Sequence, residues 1–98
     1  MKVDEQRISK AKNLGAKYQI TIEEDGKVLF LKEPEKTHFK MWFDLKEDTL
    51  ASNESLIRSL VIPQVSDMDV LENMKSLGGA FAQIGEIMAL KKSTLVTL

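Results

Sequence analysis

The spacing of apolar residues changes repeatedly along the chain, and each change predicts a new element. Over residues 3 to 14, Val3, Arg7, Ile8, Ala11 and Leu14 fall near helical spacing, which predicts a short amphipathic helix. Gly15 is its natural stop, and Lys10 and Lys12 suit the negative end of the helix dipole. The period then drops to two. Tyr18, Ile20 and Ile22 alternate with Gln19, Thr21 and Glu23, and Asp25-Gly26 marks a tight turn, so residues 17–32 are predicted to form a β-hairpin. A two-residue turn centred on Asp25-Gly26 would pair Ile22 with Leu29 and Ile20 with Leu31. Val28 and Phe30 would fall on the opposite face, which is then too apolar for a solvated surface. Either the hairpin is covered on both sides, or that face meets a partner.

Helical spacing returns after Glu33-Pro34, because proline ends the strand and suits a first helical turn. Residues 34–46 carry an aromatic face of Phe39, Trp42 and Phe43, flanked by Met41 and Leu45. Glu47-Asp48-Thr49 supplies a cap for a helix over about 49–61 with Leu50, Leu56, Ile57, Leu60 and Val61. Pro63 follows it. Ser66-Asp67-Met68-Asp69 resembles a capping box. From there Val70, Met74, Leu77, Phe81, Ile84 and Met88 recur at spacings of four and three. That stripe passes Gly78-Gly79 without losing phase, so one long helix is expected over about 67–92. Beside it runs a stripe of small residues, Gly78, Ala82, Gly85 and Ala89. Glycine costs a helix about 1 kcal/mol relative to alanine, and close approach of a neighbouring backbone would compensate. STLVTL either ends extended or continues the helix for a turn. The fold class read from these elements is α+β, as a single domain over 1–98: an N-terminal helix, a hairpin and a mostly helical C-terminal half packed on it.

Composition narrows the function more by exclusion than by assignment. The chain has 98 residues, enough for one small core. Its 14 basic and 15 acidic residues nearly balance, so no strong nonspecific pull on nucleic acid is expected. It has no cysteine, hence no thiol nucleophile and no disulfide framework. No apolar run approaches the roughly 20 residues that cross a bilayer, and the N-terminus lacks an apolar signal core. A cytoplasmic setting is expected, with no membrane or nucleic-acid partner.

Candidate chemistry is sparse. His38 is the single histidine, and no motif pairs it with Glu33, Glu35 or Asp44. Glu23, Glu24 and Asp25 lack the ligand spacing of a calcium loop, and Asp67 and Asp69 are accounted for by capping. Gly78-Gly79 follows no strand and precedes no lysine-serine pair, so it is not a phosphate loop. Lys91-Lys92 complements a helix end. No catalytic, cofactor-binding or metal-binding residue is assigned, and a non-enzymatic protein is expected. The residues singled out as candidate interface are Val28, Phe30, Trp42, Gly78, Ala82, Gly85 and Ala89.

The order of parts also carries a resemblance. A hairpin with DGKVLFLKEP, a middle helix containing Ala51-Ser-Asn-Glu-Ser-Leu, and a helical end finishing in alternating leucine and polar residues cover most of residues 16–98. Together they resemble the small tail assembly chaperones of tailed phages and prophages, particularly the short versions in Bacteroidetes-type elements. Ile62-Pro63-Gln64-Val65-Ser66 departs from that pattern, where similar members carry a GD turn. The resemblance implies a non-enzymatic holder that coats a helical tape-measure protein before tail-tube subunits polymerise, often as a homo-oligomer, in a bacterial host. A small regulatory binding module of antitoxin or adaptor type would use the same apolar surfaces.

Overall fold

The structure is a computed structural model, which describes residues 3–98. Its element order is α1 (Glu5–Asn13), β1 (Ala16–Ile22), β2 (Lys27–Lys32), α2 (Lys36–Asp44), α3 (Thr49–Leu60), a 3-10 turn (Met68–Glu72) and α4 (Met74–Ile87). The expected α+β arrangement is present: an N-terminal helix, an antiparallel hairpin, then helices.

Each start and stop has a local cause. Asp4 caps α1 by accepting from the Gln6 N–H at 2.8 Å. Gly15 leaves that helix at φ +96°, a left-handed conformation that glycine adopts without a Cβ clash. Asp48 caps α3 by accepting from the Ala51 N–H at 3.0 Å. Asn73 caps α4 by accepting from the N–H groups of Lys75 and Ser76 at 3.1 and 3.2 Å.

The hairpin is the middle layer. Ile20, Ile22, Leu29 and Leu31 face one core, completed by Leu56, Ile57 and Leu60 of α3, Val70 and Leu71 of the 3-10 turn, and Leu77, Ala80 and Ile84 of α4. Val28 and Phe30 face a second, smaller core with Val3, Ala11, Ile62 and Val65. Four successive residues of β2, Val28 to Leu31, are therefore buried. A strand covered on both faces reads as a continuous apolar run, whereas a half-exposed one alternates. Of the two options the sequence left open for the hairpin, burial on both sides is the one observed.

The pairing register differs from the tight-turn expectation. Ile20 pairs with Leu29 and Ile22 with Lys27, a shift of two residues. The loop is Glu23-Glu24-Asp25-Gly26, closed by bonds from Asp25 N–H to Ile22 O (3.2 Å) and from Gly26 N–H to Glu23 O (3.3 Å). Gly26 alone in the loop has positive φ, at 65°, so the two-residue turn that needs positive φ at both positions does not form. A two-residue slip preserves which face each side chain occupies, so the core assignment survives the change of partner.

The last helix is shorter than the expected span of about 67–92. Ser66 and Asp67 do not open it, because both are engaged by β2: Val28 N–H donates to Asp67 Oδ2 at 2.8 Å, and Phe30 N–H to Ser66 Oγ at 2.9 Å. Asp69 pairs with Lys27 and does not cap. The chain makes a 3-10 turn and restarts at Met74. At the other end, Met88 is the last buried residue. Beyond it nothing remains for a helical face to pack against, and residues 89–98 run on without helix.

Candidate functional site

The helix α2 differs from its neighbours in having no buried residue. Pro34, buried, sets the turn into it, and His38 Nδ1 accepts from the Glu35 N–H at 2.9 Å. The lone histidine thus serves the start of the helix, in the reach-back half of a capping box. Along the helix, the apolar positions form a row of rings. Phe39 and Phe43 lie 6.4 Å apart between centroids, and Trp42 and Phe43 5.7 Å apart, both tilted, a favourable aromatic geometry.

The three rings are unequally placed. Phe39 and Trp42 are half-buried and pack against the larger core. Trp42 Nε1–H donates to Oδ1 of Asn53, a buried side chain of α3, at 3.3 Å. Phe43 is 44% exposed. It stands on the ridge between two grooves. The inner one, about 270 Å³, lies between α2, α3 and α4 and is lined by Trp42, Phe43, Lys46, Asn53, Phe81 and Gly85. The outer one lies along α2 itself, with Phe39 and Phe43 on one row and Lys36, Lys40 and Asp44 on the next. Both rows repeat every four residues, one helical turn apart. Such a surface offers aromatic anchors at helical spacing with lysines alongside, the arrangement that receives one face of an amphipathic helix.

The structure separates the residues that the sequence grouped as interface. Val28 and Phe30 are a correction: both are buried in the second core, covered by α1 and by residues 61–67, and offer no surface. The Arg7 guanidinium also lies over the Phe30 ring, 5.8 Å from its centroid. Trp42 and Gly85 are brought together in the inner groove. Ala82 and Gly85 are exposed and Gly78 is half-buried on α4, while Ala89 lies past its end. Among the described residues, no other backbone lies within 4 Å of a Cβ built on the glycines of α4. A Cβ added at Gly78 would meet only the flexible end of Met74, at 3.8 Å, and one at Gly79 or Gly85 would meet nothing within 4 Å.

Two further features were not among the interface residues chosen from sequence. The first is Phe43, whose aromatic row is legible but whose exposure depends on where α3 stops covering α2. The second is Tyr18, half-buried on β1, whose hydroxyl donates to Glu33 Oε2 at 3.2 Å. Partial desolvation, then that hydrogen bond and the negative charge of Glu33, hold the phenol above its ordinary value of 10.0.

No family model matches the chain, and it matches none of the curated proteins or solved structures with which it was compared. Its function is therefore argued from its own surfaces. Among the described residues, no helix is long and apolar enough to cross a membrane, and no three His, Asp or Glu side chains gather as metal ligands would.

Proposed function

We propose that this chain is a non-enzymatic tail assembly chaperone of the phage or prophage type, which shields apolar helix faces of a tape-measure protein before tail-tube subunits polymerise around it. The observation that carries the reading is α2: a helix with no buried residue that presents Phe39 and Phe43 at one-turn spacing beside Lys36 and Lys40. A long helical client exposes apolar stripes that would otherwise aggregate, and a helix in an aromatic groove covers such a stripe reversibly. Reversibility is required, because the tube subunits must displace the holder. The setting this role implies is the cytoplasm of a bacterial host. The order of elements that resembles short tail assembly chaperones supports the same reading.

The test is co-expression with a tape-measure protein from a short-tail-chaperone phage element, followed by co-purification. The wild-type chain should be retained with the client. Phe43→Asp should reduce retention by roughly tenfold or more, as removal of a central aromatic anchor does, while thermal unfolding stays near wild type because Phe43 is exposed. Equal retention of wild type and Phe43→Asp, or none of either, would sink the proposal.

A further inference from the structure

The two edges of the sheet are not equivalent. The outer edge of β2 is sealed by residues 61–67. Ile62 N–H donates to Phe30 O and Asp67 N–H to Val28 O, each at 2.9 Å, while the N–H groups of Val28 and Phe30 donate to Asp67 and Ser66 side chains. The outer edge of β1 has no such cover. Among the described residues, the backbone of residues 16–21 is bonded only across to β2. A bare edge is a template for another strand. Beside it lies a groove of about 310 Å³, lined by Tyr18, Ile20, Gln83, Glu86 and Ile87, which offers seats to side chains from an added strand.

The same chain carries a segment suited to that edge. Residues 89–98 are exposed throughout and have no helix or strand of their own. Leu95, Val96 and Leu98 are 93%, 74% and 114% exposed, and with Thr94, Val96 and Thr97 the segment holds three β-branched residues, which favour strands. The molecule measures 53 × 28 × 22 Å, with a radius of gyration of 15.0 Å against about 13 Å for a compact chain of this length. The segment leaves the body of the protein.

We propose that residues 93–98 of one copy add as an antiparallel third strand to the open β1 edge of a second copy. Charge sets the direction. Antiparallel addition with Val96 beside Ile20 and Leu98 beside Tyr18 places Lys92 beside Glu24. Parallel addition with the same Val96–Ile20 contact places Lys92 beside Ala16, next to Lys17 and away from any acid of β1. Reach sets the source. The start of α4 lies at the hairpin tip, where Ser76 bonds Asp25, and its end lies beside Tyr18 and Ile20. An antiparallel strand must begin at the tip. From Ser76 at the tip to Met88 the helix rises about 18 Å, and the four residues 89–92, which would have to turn and retrace that distance, extend at most about 14 Å. The chain's own segment cannot start there, and one from another copy can.

Two experiments test this with the intact chain. In sedimentation across a concentration series, wild type should associate. Leu95→Pro, which removes a donor that would face Thr21 on the open edge from a residue 93% exposed in the single chain, should remain at the mass of one chain with unchanged unfolding when dilute. Because the chain has no cysteine, Gln19→Cys protein mixed with Thr97→Cys protein should form a mixed disulfide on oxidation. Lys12→Cys, on the exposed face of α1, should not couple with Thr97→Cys beyond background. Wild type that stays single at every concentration overturns the proposal, including the case in which Leu95→Pro alters unfolding because the segment closes on its own chain. Association untouched by Leu95→Pro, or equal coupling from Lys12 and Gln19, overturns it as well. Client retention through Phe43 is read separately and survives either result.

Discussion

At the scale of single residues, Asp67 holds more of the fold together than its position in a polar run suggests. One carboxylate oxygen accepts from the Val28 N–H at 2.8 Å and the other meets the Arg7 guanidinium at 3.2 Å. Arg7 in turn donates to Val65 O at 2.7 Å. One side chain thus ties α1, β2 and the segment after α3. Asp67→Ala would leave the N–H of fully buried Val28 without a partner, at a cost of roughly 1–3 kcal/mol. Asp69→Ala, two residues on, breaks only the exposed pair with Lys27 and should cost under about 1 kcal/mol. Urea unfolding of the two variants should separate them, and equal losses would show that Asp67 acts only as a surface charge. The sequence marks both aspartates as cap residues, since a capping box and an edge-sealing pair look alike until the strand beside them is known. Tyr18 allows a second residue-scale test. It is the single tyrosine, so its ionisation can be followed directly by absorbance. Its folded value is raised by desolvation and by Glu33. The fold therefore favours the neutral phenol, and that contribution is complete below the unfolded value and fades as pH rises through the folded one. The titration midpoint should lie above the ordinary 10.0, and Glu33→Gln should bring it down. A midpoint indifferent to Glu33→Gln would leave desolvation as the sole cause.

At the scale of elements, α4 changes what its glycines mean. The helix runs from Met74 to Ile87 straight through Gly78, Gly79 and Gly85, as the unbroken phase of Leu77, Phe81 and Ile84 suggests. Among the described residues, no close neighbour explains the glycines: the space over Gly79 and Gly85 is open to 4 Å. Gly79→Ala should therefore raise stability by about 1 kcal/mol through helix propensity alone, read as an increase in the unfolding midpoint. A loss would mean that a backbone does approach there. The hairpin shows the opposite balance of legibility. Its faces are readable from alternation, but its register is not, because Asp25-Gly26 fits a tight turn and a four-residue loop equally well and a slip of two leaves the pattern unchanged. The ends of α4 are hidden for another reason. Met74 continues the apolar phase, yet it is 54% exposed; the start of the helix is set by Asn73, and its end by where the core runs out. For α2 the consequence is dynamic. Helices α3 and α4 are held by fully buried residues, and α2 is not. Its amides should exchange with solvent faster than those of α3 Leu56–Leu60 and should become protected when client binds. Uniform exchange across the three helices would argue that α2 is part of the rigid core.

At the scale of the whole molecule, the hairpin divides the chain into two cores and so decides which apolar residues can act outward. The sequence places Val28 and Phe30 among interface candidates because a lone hairpin seldom has two apolar faces. It cannot show that α1 and residues 61–67 return to cover the second one, since that contact joins segments far apart in the chain. What remains outward is split between opposite kinds of surface: side chains on α2, and backbone on the β1 edge together with the extended last segment. The two should be energetically separate, since they share no residue and sites without shared partners combine additively. Phe43→Asp should lose client and keep self-association. Leu95→Pro should lose self-association and keep client at the level of one chain. The double variant should lose both without further change in unfolding. Had the client instead bound by strand addition to β1, Leu95→Pro would strengthen its retention by freeing that edge from the competing segment. Retention measured with Leu95→Pro at concentrations where wild type is associated therefore decides between two occupants of the edge: unchanged retention assigns it to a second copy, and increased retention assigns it to the client.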